Sequence, residues 1–192
     1  MPDSTSHVVI SVALGVRAGR LEAAIRSVER APGEPLDAAL ARATDVAALG
    51  HVEQLETRVL RDGRLATAYL GLTRTPDGGL PADADEHELA EAARARLRGK
   101  LSYTNAGFAL APETFTISEL REVYVAALGH DVSATNLQRV LLRRGVLERV
   151  DGVRAPGRAG GRPASLFRFR SQRLEITDEF AALRPPGSRA SG

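Results

Sequence analysis

The chain changes its hydrophobic rhythm several times. His7–Val16 (HVVISVALGV) is a nearly continuous apolar, β-branched run and predicts a buried strand. Gly19 supplies a turn, and Leu21–Val28 returns as a second strand; Ala31–Gly33 then breaks the chain. Leu36–Leu49 is rich in alanine and predicts a helix with no strong cap. His51–Leu60 alternates weakly, Asp62-Gly63 is a tight-turn signal, and Arg64–Thr73 follows as the partner strand, with Ala66, Ala68, Leu70 and Leu72 on one face. Thr75–Asp85 reads as a loop. Residues 7–74 therefore predict a small mixed sheet carrying at least one helix.

From Glu86 the period becomes helical. Leu89, Ala93 and Leu97 recur every four residues over Glu86–Arg98, and Lys100–Leu110 predicts a second helix interrupted near Gly107. Phe115–Gly129 has the clearest boundaries. Thr116 and Glu119 have the spacing of a capping box, Phe115 and Leu120 that of a hydrophobic staple, and Gly129 is placed to end the helix in a left-handed conformation. After the short link His130–Val132, Ser133 predicts the cap of another helix that stops at Gly145. Two helices joined by so short a turn form a helix-turn-helix.

On the second of these helices, Leu137, Val140 and Leu141 fall on one side. Thr135, Gln138, Arg139, Leu142 and Arg143 fall on the other, with Asn136 at the margin. The helix has no acid, whereas an ordinary solvated face mixes acids with bases. Arg, Asn and Gln are the side chains that read base edges in the major groove. Val146–Val150 and Leu166–Arg170 have strand character and enclose an Arg- and Gly-rich loop. That arrangement predicts a wing, with Arg158 and Arg162 placed to reach phosphates or the minor groove. The candidate DNA-binding set is Ser133, Thr135, Asn136, Gln138, Arg139, Arg143, Arg144, Arg158 and Arg162.

Charge sharpens this picture. Residues 1–112 hold 13 basic and 15 acidic side chains, and residues 113–192 hold 13 and 9. Between Arg139 and Arg173 ten arginines face only Glu148 and Asp151, a local net charge of +8 that suits a polyanion. Composition excludes other chemistry. There is no cysteine, hence no disulfide, thiol nucleophile or cysteine-ligated metal, and the four histidines lack metal-ligand spacing. No metal site and no cofactor are expected. No apolar run approaches the roughly 18 residues of a membrane span, and MPDSTSH has no secretory pattern, so a cytoplasmic protein without membrane contact is expected.

Over Leu97–Arg170 the segments LRGKLSYTNAGFAL, FTISELREVYVAALGH, NLQRVLLRRGVLE and GRPASLFRFR resemble the C-terminal part of the Nudix-related transcriptional regulators of NAD metabolism, the NrtR type. That resemblance implies an N-terminal Nudix domain joined to a winged helix-turn-helix, a dimeric repressor, and release from DNA by ADP-ribose or a related metabolite. The N-terminal half is similar to a Nudix domain only in its opening hairpin and later strands. The Nudix box has the form G-x5-E-x7-R-E-U-x-E-E-x-G-U. Its best register here aligns Glu34 and Arg42, and then puts Val28 at the glycine and Ala43, Val46 and Ala47 at the metal-binding glutamates. Alanine and valine cannot hold the cations that activate water on a pyrophosphate. The glycine-rich approach to the box is also missing. The resemblance therefore implies a shortened, degenerate Nudix fold without hydrolase chemistry. It further implies loss or change of the ligand, with Arg42, Glu53, Gln54 and Arg58 as the remaining candidate ligand contacts.

The expected architecture is α+β. A degenerate Nudix-like sensory or dimerisation domain spans 1–80, a helical connector 84–111, a winged helix-turn-helix 112–176 and a frayed tail 177–192. The expected function is that of a bacterial sequence-specific transcriptional regulator, a repressor and not an enzyme. It would act as a homodimer on a palindromic operator in double-stranded DNA, because one winged helix offers too few contacts for selective binding. Two alternatives stand beside it: a residual Nudix-type nucleotide pyrophosphatase, and a scaffold whose winged helix binds protein.

Overall fold

The structure, a computed structural model, describes residues 6–154 and 163–178. It is a mixed α+β fold. A four-stranded sheet is built from β1 (His7–Arg17), β2 (Arg20–Glu29), β3 (His51–Val59) and β4 (Leu65–Leu72) in the order β2-β1-β4-β3. β1 runs antiparallel to β2 but parallel to β4, and β3 closes onto β4 as a hairpin. β1 is central and nearly buried throughout because both faces of the sheet are covered. Val8, Ile10, Val12 and Leu14 point to the side of α2 (Ala84–Tyr103), while Val9 meets Ala39 and Leu40 of the short α1 (Leu36–Ala43).

Two predicted helices come out differently. The helix expected over Leu36–Leu49 stops at Ala43, with Thr44 already extended (φ −149°, ψ 154°). The Asp45 side chain then accepts from Ala47 N–H and starts a separate 3₁₀ turn over Val46–Ala48, the local competition that makes Asp a poor mid-helix residue. The connector, expected as two helices, is one helix to Tyr103. Thr104 ends it, donating its hydroxyl to the Lys100 carbonyl at 2.7 Å and accepting from Ala106 N–H. Residues 106–109 form only a 3₁₀ turn.

The apolar core runs without a break from the α2-facing side of the sheet, through Leu89, Ala93 and Leu97, into α3 (Ile117–Leu128) and the strand pair β5 (Leu147–Arg154) and β6 (Ala164–Phe169). Of the expected tail, Thr177 and Asp178 are held: Thr177 N–H donates to the Tyr103 carbonyl at 2.8 Å, and Asp178 pairs with Arg144. Among the described residues no helix is long and apolar enough to cross a membrane.

Candidate nucleic-acid interface

α3 forms as its boundary residues predict. Thr116 Oγ1 accepts from Glu119 N–H at 3.2 Å, Glu119 Oε2 accepts from Thr116 N–H at 2.7 Å, and Gly129 closes the helix at φ 77°. Its start is locked to the strand pair: Phe115 and Phe167 exchange both backbone hydrogen bonds, at 2.9 and 2.8 Å, and the Phe115 and Phe169 rings meet with centroids 5.4 Å apart. Arg121 fixes the turn by donating to the Val132 carbonyl at 2.7 Å and pairing with Asp131.

That rigid base presents α4 (Ala134–Arg143). Ser133 caps it, accepting from Asn136 N–H at 3.3 Å. Leu137 and Leu141 are buried, while Thr135, Asn136, Arg139, Leu142 and Arg143 are exposed. Arg139 donates to Asn136 Oδ1 at 2.7 Å, so the two candidate base readers stand side by side. Gln138 is half-buried and turns aside from that outermost line into a groove.

Arg144 differs from its neighbour Arg143. It is half-buried, donating to the Ser102 carbonyl at 2.9 Å and pairing with Asp178 at 2.8 Å, and so fastens the end of α4 to the end of α2. Arg158 and Arg162 lie outside the described residues. Arg149 was absent from the sequence-based set, yet it is exposed beside this face with its guanidinium 5.8 Å from the Phe167 ring centroid. Strand periodicity puts Arg149 on a face. The pairing of β5 with β6 sets Arg149 opposite Phe167, in a groove that Gln138 of α4 also lines.

The four candidate ligand contacts of the N-terminal half do not converge. Arg42 holds Glu34 through two hydrogen bonds of 2.8 and 2.9 Å. Those bonds first, and the Ala31 N–H second, keep the Glu34 carboxyl below its usual range. Glu53 is directed at α2, taking Lys100 at 2.7 Å, Arg96 at 3.0 Å and His51 at 3.2 Å. Arg58 pairs with Glu56 and Glu88 on the same side, whereas Gln54 donates to Thr57 Oγ1 at 3.2 Å. A cavity of about 640 Å³ does open beside Arg42, lined also by Arg26, Thr44, Asp45, Thr73 and Asp77. Both of its arginines already have carboxylate partners, Arg26 with Asp77 at 2.8 Å. Among the described residues no three His, Asp or Glu side chains are grouped to hold a metal.

Comparison with known proteins bears on this arrangement. Residues 107–169 match the family model of the NrtR DNA-binding winged helix domain. Over this stretch the chain is similar to that winged-helix domain. Over 88 residues the chain is 39% identical to the ADPR responsive transcriptional repressor NtrR of Acinetobacter baylyi, which covers 46% of this chain and 34% of that relative. The chain thus matches about a third of that relative's length. Among solved structures, NrtR of Shewanella oneidensis complexed with a 27mer DNA superposes with a TM-score of 0.67 at 22% identity, over 85% of this chain and 93% of that one. A MutT/nudix family protein of Enterococcus faecalis gives 0.62 at 15% identity, over 89% and 90%. At such identities these two likenesses speak to the fold: a Nudix-like sheet domain followed by a winged helix.

Proposed function

We propose that this protein is a DNA-binding transcriptional regulator of the repressor type, acting as a homodimer in the bacterial cytoplasm on a palindromic operator. The observation that carries the proposal is the outer face of α4. Thr135, Asn136, Arg139 and Arg143 stand exposed with no acid among them, on a helix backed by Leu137 and Leu141. The match to the NrtR winged helix supports the reading, as does the relative named a repressor. Genome-wide mapping of bound sites, followed by gel shifts of those fragments at rising salt, tests it. Sequence-selective binding that weakens with salt is expected. Salt-insensitive retention or none, with capture of a protein instead, would favour a scaffold.

The N-terminal domain is proposed to have no pyrophosphatase activity, because Ala43, Val46 and Ala47 occupy the positions where carboxylates would hold metal. The relative's name makes ADP-ribose the first effector to test. The pairing of Arg42 with Glu34 and of Arg26 with Asp77 argues for a lost or altered ligand, since a pyrophosphate would have to displace those carboxylates.

A further inference from the structure

Between the start of α3, the side of α4 and the root of the β5–β6 hairpin lies a groove of about 300 Å³, lined by Thr116, Ser118, Gln138, Arg149, Ser165 and Phe167 among others. Three pieces of geometry bring these residues together. Phe115 pairs with Phe167 through both backbone bonds, which sets Thr116 and Ser118 against β6. Arg149 is the direct register partner of Phe167. Gln138 leaves the outermost line of α4 and enters the groove from the other side.

The chemistry of the lining is one-sided. It holds one guanidinium, several hydroxyls and one amide, and no carboxylate. Arg149 is also distinct among the described arginines of the hairpin. Arg168 and Arg170 share Glu148 at 2.6 and 4.0 Å, and Arg154 meets Glu119 at 3.4 Å. Arg149 makes no ion pair among the described residues; its partner is the face of Phe167, which orients the guanidinium without neutralising it. An oriented, uncompensated cation beside hydroxyl and amide donors matches an anionic oxygen acceptor.

We propose that Arg149, with Gln138 and Ser165, holds one backbone phosphate of the duplex that α4 enters, an inference that rests on the DNA-binding reading above. The groove lies beside the base-reading line and not on it, so its occupant is backbone. Such a contact sets the register of α4 on the duplex and carries no sequence preference. It also reassigns Gln138 from reading a base to positioning the helix.

The test uses the full chain and a labelled duplex of mixed sequence, with the slope of log K against log salt as the readout. Arg149→Gln should flatten the slope by roughly 0.9, the value for one phosphate contact, and weaken all duplexes alike. Arg149→Lys keeps the charge and should keep the slope. Gln138→Ala should weaken binding without relaxing base preference. A wild-type slope in a folded Arg149→Gln protein, or a change of preferred bases in Gln138→Ala, would overturn the phosphate assignment while leaving DNA binding intact. If the wild-type protein binds no duplex under any salt, the DNA-binding reading and this inference fail together.

Discussion

Lys100, the only lysine in the chain, reaches Glu53 across the boundary between sheet and helix at 2.7 Å and is itself buried. Arg96 and His51 complete the shell of the same carboxylate. The cluster ties β3 to the helix that leads into the winged domain. Lys100→Met should therefore lower stability by roughly 1–3 kcal/mol, less than for an isolated buried pair because Arg96 and His51 remain. Chemical denaturation at neutral pH measures it.

The same carboxylate has a pH signature. Burial pushes the Glu53 value up, but hydrogen bonds from Lys100, His51 and Arg96 outweigh it and the net shift is downward. A value lowered in the folded state gives stability that is fully present above the unfolded carboxylate value and is lost as pH falls through the folded one. Wild-type melting temperature should consequently fall more steeply below about pH 4.5 than that of Lys100→Met. Parallel curves would show that Lys100 does not control this titration.

Arg139 and Arg144 should separate function from fold. Arg139→Ala should cost about 1–3 kcal/mol of DNA affinity and relax preference at one base pair, with melting unchanged. Arg144→Ala should lower the melting temperature, because it frees the Ser102 carbonyl and Asp178 from their tie to α4, and should leave base preference as it was. Binding-site selection and thermal melts on both variants distinguish the two roles.

Tyr124 offers a change of the opposite sign. Its hydroxyl is buried and finds no hydrogen-bond partner among the described residues. Tyr124→Phe removes an unsatisfied group and should stabilise the protein by about 1 kcal/mol. Gly107→Ala should do the reverse, by roughly 1–3 kcal/mol, since its Cβ would come within 2.9 Å of the Tyr124 ring and 3.1 Å of Phe169.

ADP-ribose should give no micromolar binding heat, with or without Mg²⁺, and no release of AMP. Micromolar binding coupled to release from DNA would instead assign the cavity beside Arg42 an effector role, because a ligand that favours the DNA-free state must weaken DNA binding by linkage.

The elements that were legible beforehand are those with local causes. Thr116, Glu119, Ser133 and Gly129 mark helix ends because a cap is made within one turn of chain. The length of α2 was not legible. The sequence reads as separate helices over Glu86–Arg98 and Lys100–Leu110, yet nothing crowds Gly99 between them, and the burial of Leu97, Lys100 and Leu101 carries one helix through to Tyr103. The candidate ligand residues failed to gather for a related reason. Glu53, Gln54 and Arg58 share a strand, but alternation separates Gln54, which meets Thr57, from Glu53, and Glu53 and Arg58 are both taken by partners on α2, Lys100 and Glu88.

The succession of β-strands, the two-helix unit and the Thr135, Arg139 and Arg143 line of α4 were determined by the sequence alone. Helical and strand periods and caps act over a few residues and need no partner. Tertiary structure decided which charges are free. Arg143 and Arg144 are adjacent and chemically identical, yet one is exposed and the other binds Ser102 and Asp178. Arg149 likewise owes its place beside Gln138 to a strand pairing between residues that lie about twenty positions apart. Whether a cation is neutralised depends on what the fold brings within about 4 Å, and that distance is set by packing between distant segments.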